Sequence, residues 1–381
     1  MNLPDLPAIQ GDEALRRREF PVCADKVYLA HAGVSPLPAC VERAVNASVS
    51  NGTRNDQEEG LARLLHETRT RAATMLGADY GEVALIGPTT AGLSAVAAGL
   101  DWQAGDEVLI YQDDFPVNVY PWLALEARGV QVRRLQTPTL GHITPELVAE
   151  QLTDQTRLVA LASCHFVSGW RIDHDAIGRL LRERGVLFCL DAIQTLGAFP
   201  TTVEHVDFLA ADAHKWLLGP CAAGVFFVRR ELQDRLAPSA FGWNNVRCPN
   251  YVAQETMNLR SDARRYEAGS FNILGIAGLN AALGLLLEVG IDNIAADLTA
   301  KRAWLVEALQ ANGYKVFHPE VASGITSSWR KDTDMKALGE KLDAENIIAS
   351  VRGDRSEQDY LRFSPHFYNT TADLERVVEL L

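Results

Sequence analysis

Two ionisable side chains stand directly after apolar runs that are typical of buried β-strands. Asp191 follows the run at 186–190, and Lys215 follows another run, before a Trp/Leu patch and a Gly-Pro turn. A lysine in apolar surroundings loses its charge readily, and a neutral amine can form a Schiff base with a carbonyl carbon. Alone, Asp191 could cap a helix and Lys215 could extend its ammonium group to solvent. The pairing of the two favours the Schiff-base interpretation.

The elements that must position these residues alternate between short β-like runs and longer helical patterns. This alternation predicts an α/β fold with a mainly parallel sheet of seven strands, whose ligand sites lie at the carboxyl ends of the strands. The strands are predicted at 83–86, 107–111, 131–135, 158–162, 186–190, 208–210 and 223–228. Helical patterns between them cover 92–100, 118–128, 145–151 and 175–184.

A smaller α+β unit is predicted at the C-terminus, after a Gly/Asn/Pro-rich stretch that begins near residue 240. Its helical patterns cover 276–289, 296–312 and 372–381, and its strands 315–318, 324–328, 347–351 and 360–364. A chain of 381 residues exceeds the size at which one core usually keeps growing. We therefore expect a large domain at 31–255 and a small C-terminal domain at 256–381, with the segment 1–30 packing against the small one.

Composition narrows the class of protein. Hydrophobic residues make up 47% and charged residues 22%, which is ordinary for a globular chain. The net charge of −13 argues against nucleic-acid binding but leaves room for a local basic pocket. The six cysteines are scattered without metal-like spacing, so we expect reduced thiols, no metal and a cytoplasmic protein. No run is long and apolar enough to predict a membrane span or a signal peptide.

The segments LDAIQTLGA and HKWLLGP resemble the signature of the class V aminotransferase superfamily, whose members are fold type I enzymes that use pyridoxal 5'-phosphate (PLP). This superfamily includes cysteine desulfurases, kynureninase and isopenicillin N epimerase. The resemblance implies that Lys215 carries PLP as an internal aldimine, that Asp191 pairs with the pyridine nitrogen and that Gln194 hydrogen-bonds the phenolic oxygen. A carboxylate partner keeps the ring nitrogen protonated, and PLP withdraws electrons well only in that state.

The segment ALIGPTTAGLSAVAAGL combines a strand, a Gly-Pro turn and a helix start. Backbone N–H groups at a helix start, with hydroxyl groups beside them, can hold a phosphate. Thr89 and Thr90 match the phosphate-binding positions of the family, although a threonine here could also be an ordinary N-cap. His214 resembles a further phosphate contact. The role of Asp212, where the family often has serine, stays open.

The segment YQDDFPVNVYPWLAL resembles the loop that places a ring over the face of PLP. Cysteine desulfurases have histidine at this position, whereas kynureninase-like and epimerase-like members have phenylalanine before proline. Phe115 is therefore the predicted stacking residue, with an aromatic at the edge of the core as the alternative. A phenylalanine can stack but cannot transfer protons.

Two later segments extend the resemblance to the C-terminus. RYEAGSFNILGIAGL resembles a segment whose hydroxyl, here Ser270, reaches the phosphate in the neighbouring subunit, which implies a homodimer with shared active sites. LRFSPHFYNT resembles the signature in which an arginine, here Arg362, binds the α-carboxylate of the substrate, with a surface ion pair as the alternative. His31 is a candidate substrate contact, with a capping or core histidine as the alternative. Arg171 and Arg352 are candidates to contact the substrate or to support the residues that do, and solvated ion pairs are the favoured interpretation for both.

The leading hypothesis is a PLP-dependent enzyme that acts on an α-amino acid. Transamination, β-elimination of the C–S lyase type and epimerisation all begin with the same carbanion, and the sequence does not choose among them. A PLP-binding protein without turnover is the alternative of another class, while a nicotinamide enzyme is disfavoured because no G-x-G-x-x-G follows the first strand. The stretch before Arg362 contains no cysteine, so we do not expect a persulfide-forming desulfurase.

Overall fold

The computed structural model describes residues 6–381 and contains a central sheet with helices around it. The strands are β1 Val27–Tyr28, β2 Val83–Ile86, β3 Glu107–Ile110, β4 Gln131–Arg134, β5 Thr156–Ala162, β6 Leu187–Asp191, β7 Phe208–Asp212, β8 Gly224–Val228, β9 Lys315–Val316, β10 Thr326–Trp329, β11 Ile347–Ile348, β12 Ser350–Gly353 and β13 Asp359–Phe363. The α-helices are α1 Leu6–Gly11, α2 Glu13–Glu19, α3 Ala39–Gly52, α4 Leu61–Leu76, α5 Thr89–Gly99, α6 Tyr120–Leu123, α7 Pro145–Gln151, α8 His174–Glu183, α9 Ile273–Val289, α10 Ile291–Ala311, α11 Met335–Ala344 and α12 Thr371–Val378. Residues 1–5 of the predicted N-terminal segment lie outside the described residues.

The central sheet has seven strands in the order β2-β8-β7-β6-β5-β3-β4. Strand β8 runs antiparallel to both of its neighbours, and the other pairings are parallel. The prediction of a mainly parallel seven-stranded sheet is therefore confirmed. The carboxyl ends of β3, β5, β6 and β7 meet along one edge, which brings the residues that follow these strands together.

Both faces of this sheet are buried. Along β6, Phe188 and Leu190 belong to one hydrophobic core, while Leu187 and Cys189 belong to the core on the opposite face. Side chains of a strand alternate between faces, so a strand covered on both sides must be apolar throughout. This explains why the strand reads as an uninterrupted apolar run in the sequence.

The C-terminal part contains a four-stranded antiparallel sheet in the order β12-β13-β10-β9 and a separate hydrophobic core. The N-terminal segment contributes to this part, because β1 pairs in parallel with β11. Helix α9, in contrast, packs against α3 and α4 and belongs to the main core. The domain boundaries given above stay a prediction.

Two predicted elements are divided in the structure. In place of the predicted helix at 118–128, the structure has the end of a 3-10 turn, the short helix α6 and a second 3-10 turn. Pro121 lacks the N–H group that a continuous helix from residue 118 would need. The predicted strand at 347–351 is divided between β11, which pairs with β1, and β12, which pairs with β13. In each case the prediction gave the right kind of secondary structure, but the observed elements are shorter than predicted.

Among residues 6–381, no single helix is long and apolar enough to cross a membrane. Helices α9 and α10 together have the length and composition of a membrane span, but they meet at an angle of 76°.

Candidate active site

A cavity of about 270 Å³ opens at the carboxyl ends of the parallel strands. Thr90 reaches it from the start of α5, Phe115 from the loop after β3, Asp191 from the end of β6 and Lys215 from the loop after β7. Arg362 enters it from β13 of the C-terminal sheet. The structure thus brings together residues that are far apart in the sequence.

Lys215 is a buried amine in this cavity. Its side chain is enclosed, with the residue only 8% exposed, and burial lowers its pKa to about 8 although the Asp191 carboxylate opposes the shift. The Nζ atom lies 5.4 Å from the centre of the Phe115 ring. The Ser35 hydroxyl donates to the Lys215 carbonyl oxygen at 2.6 Å and holds the backbone in place. A lysine of this kind is available as a neutral nucleophile near neutral pH.

Asp191 is a carboxyl group held in a fixed orientation. Its Oδ2 atom accepts a hydrogen bond from the Asn118 amide at 2.9 Å, and its Oδ1 atom accepts one from the Ile193 N–H at 3.0 Å. Burial raises its pKa, while these hydrogen bonds and Lys215 favour the charged form. A buried carboxylate with so few partners is suited to a cationic ligand atom.

Gln194 is engaged at both ends of its amide. Its Nε2 atom donates to the Ala32 carbonyl oxygen at 3.1 Å, and its Oε1 atom accepts from the Trp216 indole N–H at 2.9 Å. One of its two N–H bonds is left for a ligand, since an amide nitrogen carries two hydrogens. Its placement on the cavity wall is compatible with the expected contact to an oxygen atom.

The two threonines of the expected phosphate site differ. The Thr89 hydroxyl is buried and accepts from the Asp212 N–H at 3.0 Å, so it joins α5 to the end of β7. Thr90 is exposed at the start of the same helix. The helix start and the Thr90 hydroxyl are therefore the groups that an anion can reach.

Asp212 organises the turn that carries Lys215. It accepts hydrogen bonds from the N–H groups of Ala213, Ala222 and Ala223 and pairs with His214 Nδ1 at 2.7 Å. Burial acts to raise the pKa of Asp212, but these hydrogen bonds outweigh it and lower the pKa. This residue, whose role the sequence left open, thus fixes the His214 ring beside the cavity.

Phe115 and its neighbour Asp114 both line the cavity, Phe115 as an exposed residue and Asp114 as a buried one. The Phe115 ring is 46% exposed and meets the Phe166 ring edge to face, with centroids 5.5 Å apart. Asp114 is buried, and burial raises its pKa to about 7. Its Oδ1 atom accepts from the Phe115 N–H at 2.6 Å and so fixes the start of the turn. Sequence reasoning missed Asp114 and Asn118, although both lie in the segment that identified Phe115.

Arg362 and Arg352 line the cavity on the side of the C-terminal sheet. Arg362 donates to the Phe166 carbonyl oxygen at 2.6 Å, but its buried Nε atom has no hydrogen-bond partner within the described part of the chain. Burial, and then the charge of Arg352, lower its pKa to about 9. Neither guanidinium has a carboxylate within 4.0 Å among residues 6–381. The expectation of an ion pair for Arg352 was therefore wrong.

Arg171 also lacks the expected ion pair within the described residues. It donates to the Ala322 carbonyl oxygen at 2.8 Å and lies over the Phe199 ring at 4.7 Å, outside the cavity lining. The interpretation as a solvated ion pair was wrong because the side chain turns inward against an aromatic face. Its contacts give it a structural role, because they join the loop after β5 to the loops after β6 and before β10.

His31 lies outside the cavity lining and is completely buried. Its Nδ1 atom is 2.8 Å from the Ser364 carbonyl oxygen and its Nε2 atom is 2.7 Å from the Tyr368 hydroxyl. Burial lowers its pKa to about 3. Both ring nitrogens are used by the protein, so the structure supports the alternative of a core histidine and not a substrate contact.

Ser270 does not line the cavity. Ser270 is exposed on a separate surface depression with Gly87 and Ala222, and its contact to a neighbouring subunit stays a prediction.

Cys164 lines the cavity after β5, with its Sγ atom 3.5 Å from the Ser323 hydroxyl oxygen, and was missed because nothing near it in sequence marks it. Burial raises its pKa to about 11, which keeps it a thiol at neutral pH.

One surface cluster, Asp175, Glu204 and His205, has the spacing of a metal site. Arg179 and His205 already pair with Asp175, which leaves the carboxylate little capacity for a cation. The cluster lies away from the cavity and carries no functional assignment.

The residues in the cavity fit PLP. A buried amine, a ring at 5.4 Å from it, an oriented carboxylate and an accessible helix start are the groups that PLP requires. Fold and site together define a PLP-dependent enzyme of fold type I.

The particular family follows from sequence comparison. The profile described as Aminotransferase class-V matches residues 27–377, and the chain belongs to this family. A probable cysteine desulfurase of Methanothermobacter thermautotrophicus is 30% identical over 287 residues, which cover 73% of this chain and 71% of that protein. The uncharacterized aminotransferase YcbU of Bacillus subtilis is 26% identical over 373 residues, covering 95% of each chain.

A solved structure shows the same fold. It is the complex of the cystine C-S lyase C-DES with its reaction product cysteine persulfide, with a TM-score of 0.86 at 22% identity over 94% of this chain and 98% of that chain. The predicted family, fold type and cofactor are therefore confirmed.

Proposed function

We propose that this enzyme binds PLP at Lys215 and acts on an α-amino acid. The observation that carries the proposal is the buried Lys215 amine, which shares one cavity with an oriented carboxylate and with an arginine that has no acidic partner within residues 6–381. Perturbed ionisable groups that converge in one cleft are typical of active sites.

Four groups would hold the cofactor. Asp191, oriented by Asn118 and the Ile193 N–H, would pair with the ring nitrogen and favour its protonated form. Phe115 would pack against the ring, and the start of α5 with Thr90 would hold the phosphate. When bound, PLP withdraws electrons from the bonds to the α-carbon of the substrate.

Two groups act on the substrate. Arg362 binds the α-carboxylate. Its Nε–H has no partner within residues 6–381 and its Nη2 has only a long contact of 3.5 Å to the Ser350 hydroxyl, which leaves one edge of the planar guanidinium for a carboxylate. Lys215, with a pKa of about 8, accepts and returns a proton at the α-carbon. Phe115 cannot transfer protons, so this task falls to the lysine.

The reaction that follows is proposed as amino-group transfer, in line with the family to which the chain belongs. C–S bond cleavage is the second candidate, because relatives include a probable cysteine desulfurase and the cystine C-S lyase C-DES shares the fold. A persulfide on the protein is disfavoured. The C-terminal strands and loop at 347–363 contain no cysteine, and the thiol of Cys164 is buried with a pKa raised to about 11.

A homodimer is part of this proposal. Five apolar side chains are exposed in one stretch of the chain, namely Phe241, Trp243, Tyr251, Val252 and Met257. Exposed apolar residues in such density are typical of a protein interface. Sedimentation should give about twice 41.8 kDa. A monomer that stays fully active on dilution would remove Ser270 from the site.

Borohydride reduction tests the attachment to Lys215. The protein loaded with PLP is reduced and digested, and the modified peptide is identified by mass spectrometry. We expect the label on Lys215 and its loss in Lys215→Ala, with Lys301→Ala as the control because Lys301 is also buried but pairs with Asp297. A label on another lysine contradicts the assignment.

A substrate screen tests the reaction. Each of the common amino acids is mixed with the PLP-loaded enzyme while cofactor absorbance, keto-acid release and amino transfer to a second keto acid are followed. Transfer supports the aminotransferase, whereas pyruvate and sulfide from cysteine or cystine support the lyase. Protein-bound persulfide together with alanine would mark a desulfurase, and an unchanged spectrum with every amino acid would mark a binding protein without turnover.

A further inference from the structure

Arg352 and Arg362 lie on the same face of the C-terminal sheet. Strands β12 and β13 pair so that Ser350 is opposite Arg362 and Arg352 is opposite Tyr360. Because side chains two residues apart share a face, the two arginines are diagonal neighbours on the face that looks into the cavity. A Cβ atom at Gly33 would lie 3.7 Å from Arg352 Nη2 and 3.8 Å from Arg362 Nη2, so both guanidinium groups reach the same place.

The acids near this pair are already used. Asp113 pairs with Arg355, and Asp354 accepts from the Tyr360 hydroxyl at 2.6 Å. Asp114, which also lines the cavity, accepts from the Phe115 N–H at 2.6 Å. Asp191 is held by Asn118 at the cavity floor. Two like charges as neighbours on a sheet destabilise the fold unless something compensates them.

One α-carboxylate compensates only one of the two charges. The cofactor phosphate does not compensate the second positive charge. Its expected site is the start of α5, which the Thr89 hydroxyl joins to the end of β7, whereas Arg362 is bonded to Phe166 in the loop after β5. The strands β7 and β5 are separated by β6, so these places are roughly 10 Å apart.

We propose that Arg352 binds a second carboxylate, at the end of the substrate side chain, so that the substrate is an amino acid with an acidic side chain. This inference rests on the proposed function, in which Arg362 binds the α-carboxylate. Within residues 6–381, Arg352 donates only to its own neighbour, the Val351 carbonyl oxygen at 3.0 Å, which leaves most of its N–H groups for a ligand. The pair of Arg355 with Asp113 fastens the loop beside Arg352 to the large domain.

Binding of acids that lack an amine tests the proposal without turnover. Calorimetry on the PLP-loaded enzyme compares succinate and glutarate with propionate and butyrate. We expect each dicarboxylate to bind about 10- to 100-fold more tightly than the monocarboxylate, because a second charge-assisted contact forms. Arg352→Gln should abolish this preference and weaken monocarboxylate binding far less than dicarboxylate binding, because a monocarboxylate loses only the longer-range attraction of the Arg352 charge. Arg330→Gln, which removes a charge that lies over Tyr314 outside the cavity, should keep the preference.

Turnover gives an independent result. Aspartate and glutamate should be preferred to asparagine and glutamine by about 10-fold or more in kcat/KM, and Arg352→Gln should remove the preference. Equal binding of both acid classes overturns the proposal, as does an equal loss for both classes in Arg352→Gln, which would place both arginines on one α-carboxylate. Turnover of neutral amino acids without any preference refutes this inference alone, whereas failure to label Lys215 refutes the proposed function.

Discussion

Replacement of Asp191 by asparagine tests whether this buried carboxylate serves the cofactor or the fold. In the structure its two oxygens accept one hydrogen bond each, from Asn118 at 2.9 Å and from Ile193 at 3.0 Å. An asparagine keeps the bond to Ile193, while its NH₂ group meets the NH₂ group of Asn118, whose amide must turn over. Reorientation of one hydrogen bond costs about 1 kcal/mol, and a neutral amide is less costly to bury than a carboxylate. The folding stability of the PLP-free protein should therefore change by about 1 kcal/mol or less.

The effect on the cofactor should be larger. The variant loses a charge-assisted hydrogen bond to the ring nitrogen, which contributes about 1.5–3 kcal/mol, so the Kd for PLP should rise by about 10- to 150-fold. Turnover should fall further, by about 10²–10³ at saturating PLP, because the ring nitrogen is no longer held protonated. Removal of the charge also lowers the pKa of Lys215, since Asp191 now raises it.

The assays are thermal unfolding of the PLP-free protein, a spectroscopic titration with PLP and steady-state turnover. Asp207→Asn is the control, because Asp207 is also a largely buried carboxyl that accepts from a backbone N–H, that of Phe188 at 2.9 Å, and lies outside the cavity lining. Asp207 also pairs with Arg229 at 3.4 Å. The control variant should lose stability and keep its affinity for PLP. Wild-type affinity and turnover in Asp191→Asn would refute the electronic argument, and a stability loss equal to that of the control would make Asp191 a structural residue.

Three further predictions concern stability. Glu267→Ala should cost about 3–5 kcal/mol in chemical unfolding, because it leaves Arg69 buried without its partner at 2.5 Å, and Glu267→Gln should cost less. In the PLP-free protein, Lys215 has a folded pKa of about 8 against 10.5 unfolded, so the unfolded chain binds more protons between these values. Wild type should therefore gain stability relative to Lys215→Met as pH rises from 8 to 10.5, by about 1–3 kcal/mol, and a flat difference would contradict the lowered pKa. Gly324→Ala would push a methyl group into the Trp216 ring, so it should lower stability by about 1–3 kcal/mol and weaken PLP binding measured by titration; unchanged values of both would show that the ring can move.

The sequence alone determined the sheet and the chemistry of its main residues. A strand buried on both faces must be apolar along its length, so β6 and the position of Asp191 at its end are visible in the printed residues. The same holds for Lys215, because its apolar surroundings are also its neighbours in sequence. The motifs around these two residues were sufficient to predict the family, the fold type and PLP.

Only the tertiary structure decided which of the other polar residues face the cavity. His31 and Arg352 both stood as polar residues in short loops or strands, yet the fold buries the first between Ser364 and Tyr368 and turns the second into the cavity. Cys164 carries no local mark of its position. Asp114 stands next to Phe115 in sequence, but its burial in the cavity wall is set only when the strands β3 and β5 pair side by side and bring their loops together. The register of β12 against β13, which places two arginines on one face, is set by pairing between segments and by the cores around them, and such long-range contacts leave no periodic pattern in a single sequence.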